Sequence, residues 1–231
     1  QSLPILASSR APERHLRDVD PSRRIRFDLE DPSTWSALPP DADLIWTFPA
    51  TPLEQVQAFA RHSCRPPGRL VVLGSTSAYD REGGPVDDLP PWIDEAHPIN
   101  TSLPRVQGEE YLRTHREAII LRVAGIYGPN RNPVKWIRQD LAHLCLLALQ
   151  RAQAGDTYNV SDGHPRRWAD ICAEVSGRWG VVSARQADRS ESGKRIRNHK
   201  ILTHVGYTLR HPEFYDALQS IEADRRPPIR L

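Results

Sequence analysis

The chain has 231 residues, of which 39% are hydrophobic and 26% are charged, and its 31 basic residues nearly balance its 29 acidic ones. This composition is sufficient for a packed core in one domain, or in one domain with a small appendage, and it argues against disorder. The net charge of +2 gives no support to nucleic-acid binding, so we expect no nucleic-acid partner.

No run of apolar residues approaches the ~18 residues of a membrane span, so we expect no membrane association. The cysteines Cys64, Cys145 and Cys172 are odd in number and far apart. This spacing is typical of reduced thiols and predicts a cytoplasmic protein. No pair of His or Cys residues has the spacing of zinc ligands, so we predict no metal site.

Short strands dominate the predicted structure of the first part of the chain. Residues 2–9 form a short apolar run that ends in two serines, and Arg10 follows. Residues 24–29 and 43–49 predict two further strands. Apolar residues recur with helical periodicity in 53–62 and predict an amphipathic helix that covers the sheet.

The clearest pattern lies in residues 69–131. A continuous Val/Leu run closed by Gly74 predicts a strand that is buried on both faces. A helix is predicted at 103–113, where Pro104 suits the first turn, and residues 118–131 predict a second buried strand that runs into a Gly-Pro turn. A strand, a polar loop, a helix and a strand form a βαβ unit, in which ligands bind at the carboxyl ends of the strands. That rim is predicted to carry Ser75, Thr76, Ser77, Tyr79, Tyr127 and Gly128.

Three motifs of this unit resemble those of one known family. They are Gly-Ser-Thr-Ser-Ala-Tyr at 74–79, Gly-Glu-Glu at 108–110 and Leu-Arg-Val-Ala-Gly-Ile-Tyr-Gly-Pro at 121–129. With them the chain resembles the extended and atypical short-chain dehydrogenases, the NAD(P)-dependent epimerases and dehydratases, over nearly its whole length. The resemblance implies a Rossmann-type doubly wound parallel sheet with a small C-terminal substrate-side lobe.

The resemblance divides the chain into a Rossmann NAD(P)-binding region at 1–139 and a remainder at 140–231, which together form one integrated domain. The first strand, its Gly-rich turn and the first helix of such a fold would precede Ser2, and no other segment supplies them. We expect that the protein contains this piece, and the alternative is a true truncation. Without it the chain would lack the N–H groups that hold a pyrophosphate and would expose an apolar sheet edge.

The resemblance also implies a nicotinamide cofactor across the strand ends. The residues that it places beside the cofactor are Arg10, Asp28, Leu29, Phe48, Ser75, Arg105, Tyr127 and Gly128. An acidic residue at the position of Arg10 would bind the ribose hydroxyls of NAD, whereas an arginine accommodates the 2′-phosphate of NADP. The sequence therefore slightly favours NADP over NAD. The alternative is that Arg10 is only a surface cation.

The family's catalytic pair, Tyr-x-x-x-Lys, is replaced in this chain by Thr101-x-x-x-Arg105. An aliphatic hydroxyl does not replace a phenol as an acid or base unaided, and an arginine stays protonated and relays no proton. Ser75 matches the family's catalytic Ser or Thr and would orient a carbonyl or hydroxyl group. Tyr79 is a substitute acid in one interpretation. In the other, which we favour, it is a structural aromatic residue.

The later part of the chain is less informative. Residues 133–139 run directly into 140–149, where the family has a basic loop and a short strand between two helices. We expect a loop at this join, and the alternative is one continuous helix through 133–149. A strand is predicted at 156–162 and a helix at 165–179, whose apolar spacing indicates core packing.

Two classes of function remain open. The first is an NAD(P)-binding oxidoreductase or isomerase of the epimerase/dehydratase kind, acting on a sugar, a sugar nucleotide or another small carbonyl or hydroxyl compound. The second is a catalytically impaired NAD(P)-binding sensor or partner protein, which the loss of the Tyr and Lys favours. The resemblance also allows a homodimer through the helix at 103–113.

Overall fold

The computed structural model describes residues 4–62, 68–80, 90–124, 134–166, 168–179, 194–210, 212, 213 and 215. The description excludes the side chains of residues 134–139 and of Trp168, Ala169, Cys172, Val175 and Trp179.

Helices and strands alternate along most of the chain. The strands are β1 (Ala7–Ser9), β2 (Arg24–Arg26), β3 (Leu44–Trp46), β4 (Leu70–Ser75), β5 (Trp92–Ile93), β6 (Ile119–Val123), β7 (Thr157–Val160) and β8 (Arg195–Ile196). The helices are α1 (Pro12–His15), α2 (Leu53–His62), α3 (Pro104–Arg116), α4 (Val134–Arg151), α5 (Trp168–Trp179) and α6 (His199–Val205). Short 3-10 helices lie at Pro21–Arg23, Pro32–Ala37 and Thr76–Tyr79.

The main sheet has the order β3-β4-β6-β7, and all of its strands are parallel. β1 and β2 form a separate parallel pair, and so do β5 and β8. Ile5 and Leu6, which precede β1, and Ile45 of β3 are exposed apolar residues.

Helices cover both faces of the main sheet, which confirms the predicted doubly wound α/β fold. Successive residues of β4 point to opposite faces. Val71 belongs to the apolar core shared with α4 and α6, and Val72 belongs to the core shared with α2 and α3. Burial on both faces explains why β4 as far as Leu73 and β6 as far as Leu121 are continuous apolar runs rather than alternating ones.

The expected interruption near residues 139–140 is not present. Instead, α4 runs unbroken from Val134 to Arg151, as the alternative interpretation has it. Leu144, Cys145 and Ala148 are buried on its inner face at helical spacing, which holds the helix against the sheet. None of the described helices is both long and apolar enough to cross a membrane.

Candidate functional site

The candidate site begins where β4 ends. Ser75, the last residue of β4, is the N-cap of the 3-10 helix Thr76–Tyr79, and its Oγ accepts a hydrogen bond from the N–H of Ser77 at 3.2 Å. The same Ser75 Oγ donates to Oγ of Ser77, also at 3.2 Å. The cap therefore fixes two hydroxyl groups side by side at the carboxyl end of a central strand, which is where ligands bind in such sheets.

Arg105 brings a positive charge to these hydroxyls from the first turn of α3. Its Nη2 donates a 2.6 Å hydrogen bond to Oγ of Ser77. The side chain is partly buried, with 28% of its surface exposed. Its Nη1 makes no hydrogen bond with any described residue, so this end of the guanidinium is left for a ligand. Ser75 and Arg105 therefore lie in one group, joined through Ser77.

Glu109 lies one turn further along α3 and is completely buried. Its Oε1 is 3.2 Å from Nε of Arg105, an ion pair at the i, i+4 spacing of a helix. Neither carboxyl oxygen has a hydrogen-bond donor among the described residues. The carboxyl group lies against Gly74, where a Cβ atom would be 2.8 Å from Oε2, so only glycine leaves it this space.

Burial changes the acidity of Glu109. Removal from water penalises the carboxylate and raises its pKa from 4.5 to about 7, although the positive charges of Arg105 and Arg122 oppose the shift. The negative charge of Glu110 raises this pKa further. A carboxyl group with a pKa near 7 changes its protonation within the physiological range, and it does so beside Arg105.

A row of polar residues crosses the sheet next to this group. Gly74, Arg122 and Asn159 are register partners on β4, β6 and β7, and they share the face that α3 covers. Arg122 and Asn159 are almost fully buried. Nη2 of Arg122 contacts Oε1 of Glu110 at 3.1 Å, so the buried cation is paired with a carboxylate of α3.

Tyr79 belongs to this row rather than to the hydroxyl group at the rim. Its phenol donates to Oδ1 of Asn159 at 2.7 Å and accepts from Nη1 of Arg122 at 3.2 Å. Burial raises its pKa above the usual value of 10. A buried phenol with two partners and a raised pKa is a poor acid or base near neutral pH. The structural interpretation of Tyr79 is the one that this geometry favours.

Thr101 and Arg105 do not lie on one helix, although their spacing in the sequence matches that of the family's catalytic pair. Leu103 is the N-cap of α3, and Pro104 is the first residue of the helix, so Thr101 lies in the preceding turn. That turn is stabilised by Oδ1 of Asn100, which accepts from the N–H of Ser102 at 3.0 Å. Thr101 is exposed and lies outside the helix that carries Arg105.

The other residues that were predicted beside a cofactor lie at the ends of β1, β2 and β3. Arg10 follows β1 and is exposed, while Phe48 follows β3 with 37% of its surface exposed. Asp28 Oδ1 accepts from the N–H of Glu30 at 3.1 Å, and Leu29 is buried in the aromatic core around Trp35. Tyr127 and Gly128 lie outside the described residues.

The sequence prediction missed Glu109, Arg122 and Asn159 as parts of the site. The signal for Arg122 was its position inside an otherwise apolar strand. The signal for Glu109 was its i, i+4 spacing from Arg105, combined with Gly74 at the end of the facing strand. The described residues contain no group of His, Cys, Asp and Glu that could hold a metal ion.

Comparison with known proteins gives similarity of structure but not of sequence. No family model and no curated protein matches the chain. A conserved protein of unknown function from Silicibacter pomeroyi aligns with a TM-score of 0.68 and 23% identity, covering 95% of this chain and 90% of that one. MoeE5 in complex with UDP-glucose and NAD aligns with a TM-score of 0.65 and 16% identity, over 94% and 97% of the two chains.

UDP-glucuronic acid 4-epimerase from Bacillus cereus, in complex with NAD, aligns with a TM-score of 0.62 and 14% identity. The alignment covers 89% of this chain and 81% of the epimerase. At such low identities these comparisons establish the fold. This chain has the Rossmann-type fold of NAD-dependent epimerases and dehydratases.

Proposed function

We propose that this protein is a member of the NAD(P)-dependent epimerase/dehydratase group that binds a nicotinamide cofactor and acts on a sugar-like or other small carbonyl or hydroxyl substrate. The observation that carries the proposal is the group formed by Ser75, Ser77 and Arg105. Two hydroxyls and a guanidinium whose Nη1 makes no hydrogen bond with the described residues converge at the carboxyl end of β4, on a fold that structural relatives use with NAD.

The residues present fit such a cofactor. The guanidinium of Arg105 and the neighbouring hydroxyls suit the oxygens of a ribose, and the exposed ring of Phe48 at the end of β3 offers an apolar surface to a flat base. Arg10, exposed after β1, suits a 2′-phosphate, which supports NADP over NAD. A bound nicotinamide cofactor supplies or accepts hydride.

The chain's own residues then have distinct roles. Arg105 binds and orients, because its guanidinium does not release a proton at physiological pH. Ser75 turns its single O–H from Ser77 to the carbonyl or hydroxyl oxygen of the substrate and so polarises it. Ser77 holds Arg105 through its hydroxyl and keeps its backbone hydrogen bond to Oγ of Ser75. The substrate class includes sugar nucleotides, since MoeE5 has been solved with UDP-glucose.

A catalytically impaired cofactor-binding protein is the second candidate. It is favoured by the position of Thr101, outside α3, and by the two hydrogen bonds that occupy the phenol of Tyr79. In this case Arg105 and the serines bind the cofactor without proton transfer, and the protein acts as a sensor or as a partner protein.

Titration of the protein with NADPH and with NADH, followed by fluorescence, tests the proposal. We expect saturable binding of NADPH that is tighter than that of NADH. Arg105→Ala is expected to weaken both, since a hydrogen bond from a charged donor is worth about 1.5–3 kcal/mol, or at least about tenfold in affinity. Arg210→Ala, which removes an exposed arginine beside α4 on the opposite face of the sheet, is the matched control and should bind normally.

Absence of binding of either dinucleotide would contradict both candidates. If binding is observed, a screen of sugar nucleotides and small carbonyl compounds, read as oxidation or reduction of the bound cofactor, separates the two. Turnover that falls in Ser75→Ala by much more than cofactor affinity does supports the enzyme. Binding without turnover across the screen favours the sensor or partner protein.

A further inference from the structure

Glu109 has an unusual environment for an acidic side chain. Its carboxyl group is fully buried, has no hydrogen-bond donor among the described residues and lies 3.2 Å from Nε of Arg105. The other side of the same guanidinium faces Ser77 and the predicted ligand site. The charge of Glu109 therefore acts directly on the cation that the ligand would meet.

We propose that Glu109 controls the charge of the ligand site, so that the protein binds its anionic dinucleotide at Arg105 together with a proton on Glu109. This inference rests on the proposed function, because it takes the ligand at Arg105 to be a nicotinamide dinucleotide. Glu109 is a positioning residue in this scheme, since it touches Arg105 and not the ligand.

The physical basis is the neutralisation of Arg105. When Glu109 is ionised, the guanidinium and the carboxylate form a pair without net charge, and the attraction for a phosphate-bearing ligand is weak. When Glu109 is protonated, the positive charge of Arg105 is uncompensated and attracts the ligand more strongly. Conversely, the negative phosphates next to the ribose that Arg105 contacts make the carboxylate of Glu109 less favourable, so binding takes up a proton.

The other charged groups around Glu109 are fixed by partners of their own. Arg122 faces it from β6 and contacts Glu110 at 3.1 Å, and Glu110 in turn contacts Arg113 at 2.7 Å. From β4, Gly74 presents only backbone to the carboxyl group. Among these groups Arg105 is the cation that contacts Glu109 and also faces the serines. Since burial raises the pKa of Glu109 to about 7, the uptake of a proton on binding occurs near neutral pH.

The sign of the pH dependence follows from this linkage. Below pH 7 Glu109 is already protonated in the free protein, and the affinity for the dinucleotide is highest. As the pH rises above 7, binding requires uptake of a proton, so the affinity falls by up to about tenfold per pH unit. The affinity stops falling at the pH at which Glu109 is ionised in the complex as well as in the free protein.

The first measurement needs no variant. Calorimetric titration with NADH and with NADPH at pH 7, in two buffers that differ in ionisation enthalpy, counts the protons taken up on binding. We expect an uptake of roughly half a proton for each NADH, because a group with a pKa near 7 is half ionised at that pH. NADH itself has no group that titrates between pH 6 and pH 9, so the uptake reports on the protein.

The second measurement compares affinities from pH 6 to pH 8.5 in the wild type and in Glu109→Gln, a neutral side chain of the same shape. The wild type should lose affinity with rising pH, while Glu109→Gln should keep the affinity that the wild type has at low pH. At each pH the dissociation constant of the wild type is divided by that of Glu109→Gln. Any titration of the cofactor itself affects both proteins equally and cancels in this ratio. Glu54→Gln, which changes an exposed glutamate of α2, is the matched control and should follow the wild type.

Each outcome decides one claim. Proton uptake together with a pH-independent Glu109→Gln variant supports the inference. Dinucleotide binding without proton uptake, or parallel pH curves for the wild type and the variant, overturns the inference and leaves the proposed function standing. Absence of binding of both dinucleotides at every pH overturns the proposed function and the inference with it.

Discussion

Gly74 and Glu109 face each other so closely that a Cβ atom on residue 74 would lie 2.8 Å from Oε2 of the glutamate. The contact joins the end of β4 to the first half of α3, and it places the buried carboxyl group directly beneath Arg105. The glycine at the end of the strand therefore determines where the charge of the site lies.

Gly74→Ala is expected to destabilise the protein. The added methyl group would have to displace a carboxyl group that is enclosed by the sheet and the helix, and overpacking of this kind costs about 1–3 kcal/mol. The measurement is the free energy of unfolding from chemical denaturation. Gly177→Ala in α5 is the control, since a Cβ atom there meets nothing within 4 Å. This control should be neutral or stabilising by up to about 1 kcal/mol. Equal effects of the two substitutions would contradict the packing argument.

Much of the fold was predictable, because continuous apolar runs of this length are typical of strands that are buried on both faces. The prediction of a helix at 53–62 matches α2 (Leu53–His62), and the predicted βαβ unit is present as β4, α3 and β6. Positions buried on an amphipathic helix follow from periodicity. Periodicity does not identify which charged residue is buried, and for this reason Glu109 was not predicted.

The site was predictable only in part for a related reason. Ser75 and Arg105 follow from motif positions, and the structure joins them through Ser77. Thr101 was assigned by counting back four residues, a step that assumes continuous helix. Pro104 begins the helix after that point, so the count crosses a turn and the assumption fails.

Glu109→Gln is expected to alter the pH dependence of stability. The folded pKa of Glu109, about 7, lies above the ordinary value of 4.5, so the stability that it contributes is complete below pH 4.5 and is lost as the pH rises to about 7. The loss amounts to about 1.4 kcal/mol per unit of separation between the two pKa values. The variant should therefore gain stability relative to the wild type between pH 4.5 and pH 7. Denaturation curves at several pH values measure this difference, and a difference that does not vary with pH would contradict the buried titration.

Tyr79→Phe tests whether the phenol is structural. Loss of the hydroxyl leaves Oδ1 of Asn159 and Nη1 of Arg122 buried without a partner, which costs about 1–3 kcal/mol of stability. Affinity for NADH should not change. Tyr111→Phe removes the same atom from a half-buried tyrosine of α3 whose phenol makes no hydrogen bond with the described residues, and it should cost little. If Tyr79→Phe were fully stable but abolished turnover, Tyr79 would be the missing acid and the structural assignment would be wrong.

Arg10→Ala tests the preference for NADP. The exposed guanidinium after β1 would pair with a 2′-phosphate but has no corresponding charge to meet in NAD, so the variant should lose affinity for NADPH and keep its affinity for NADH. Loss of one charge-assisted contact predicts a decrease of about tenfold, and binding of the two dinucleotides by fluorescence measures the ratio. Arg14→Ala removes the same charge from the exposed surface of α1, and it controls for a non-specific effect of losing one positive charge. An equal decrease for NADPH and NADH in Arg10→Ala would show that Arg10 is only a surface cation and that the protein does not select its cofactor at this position.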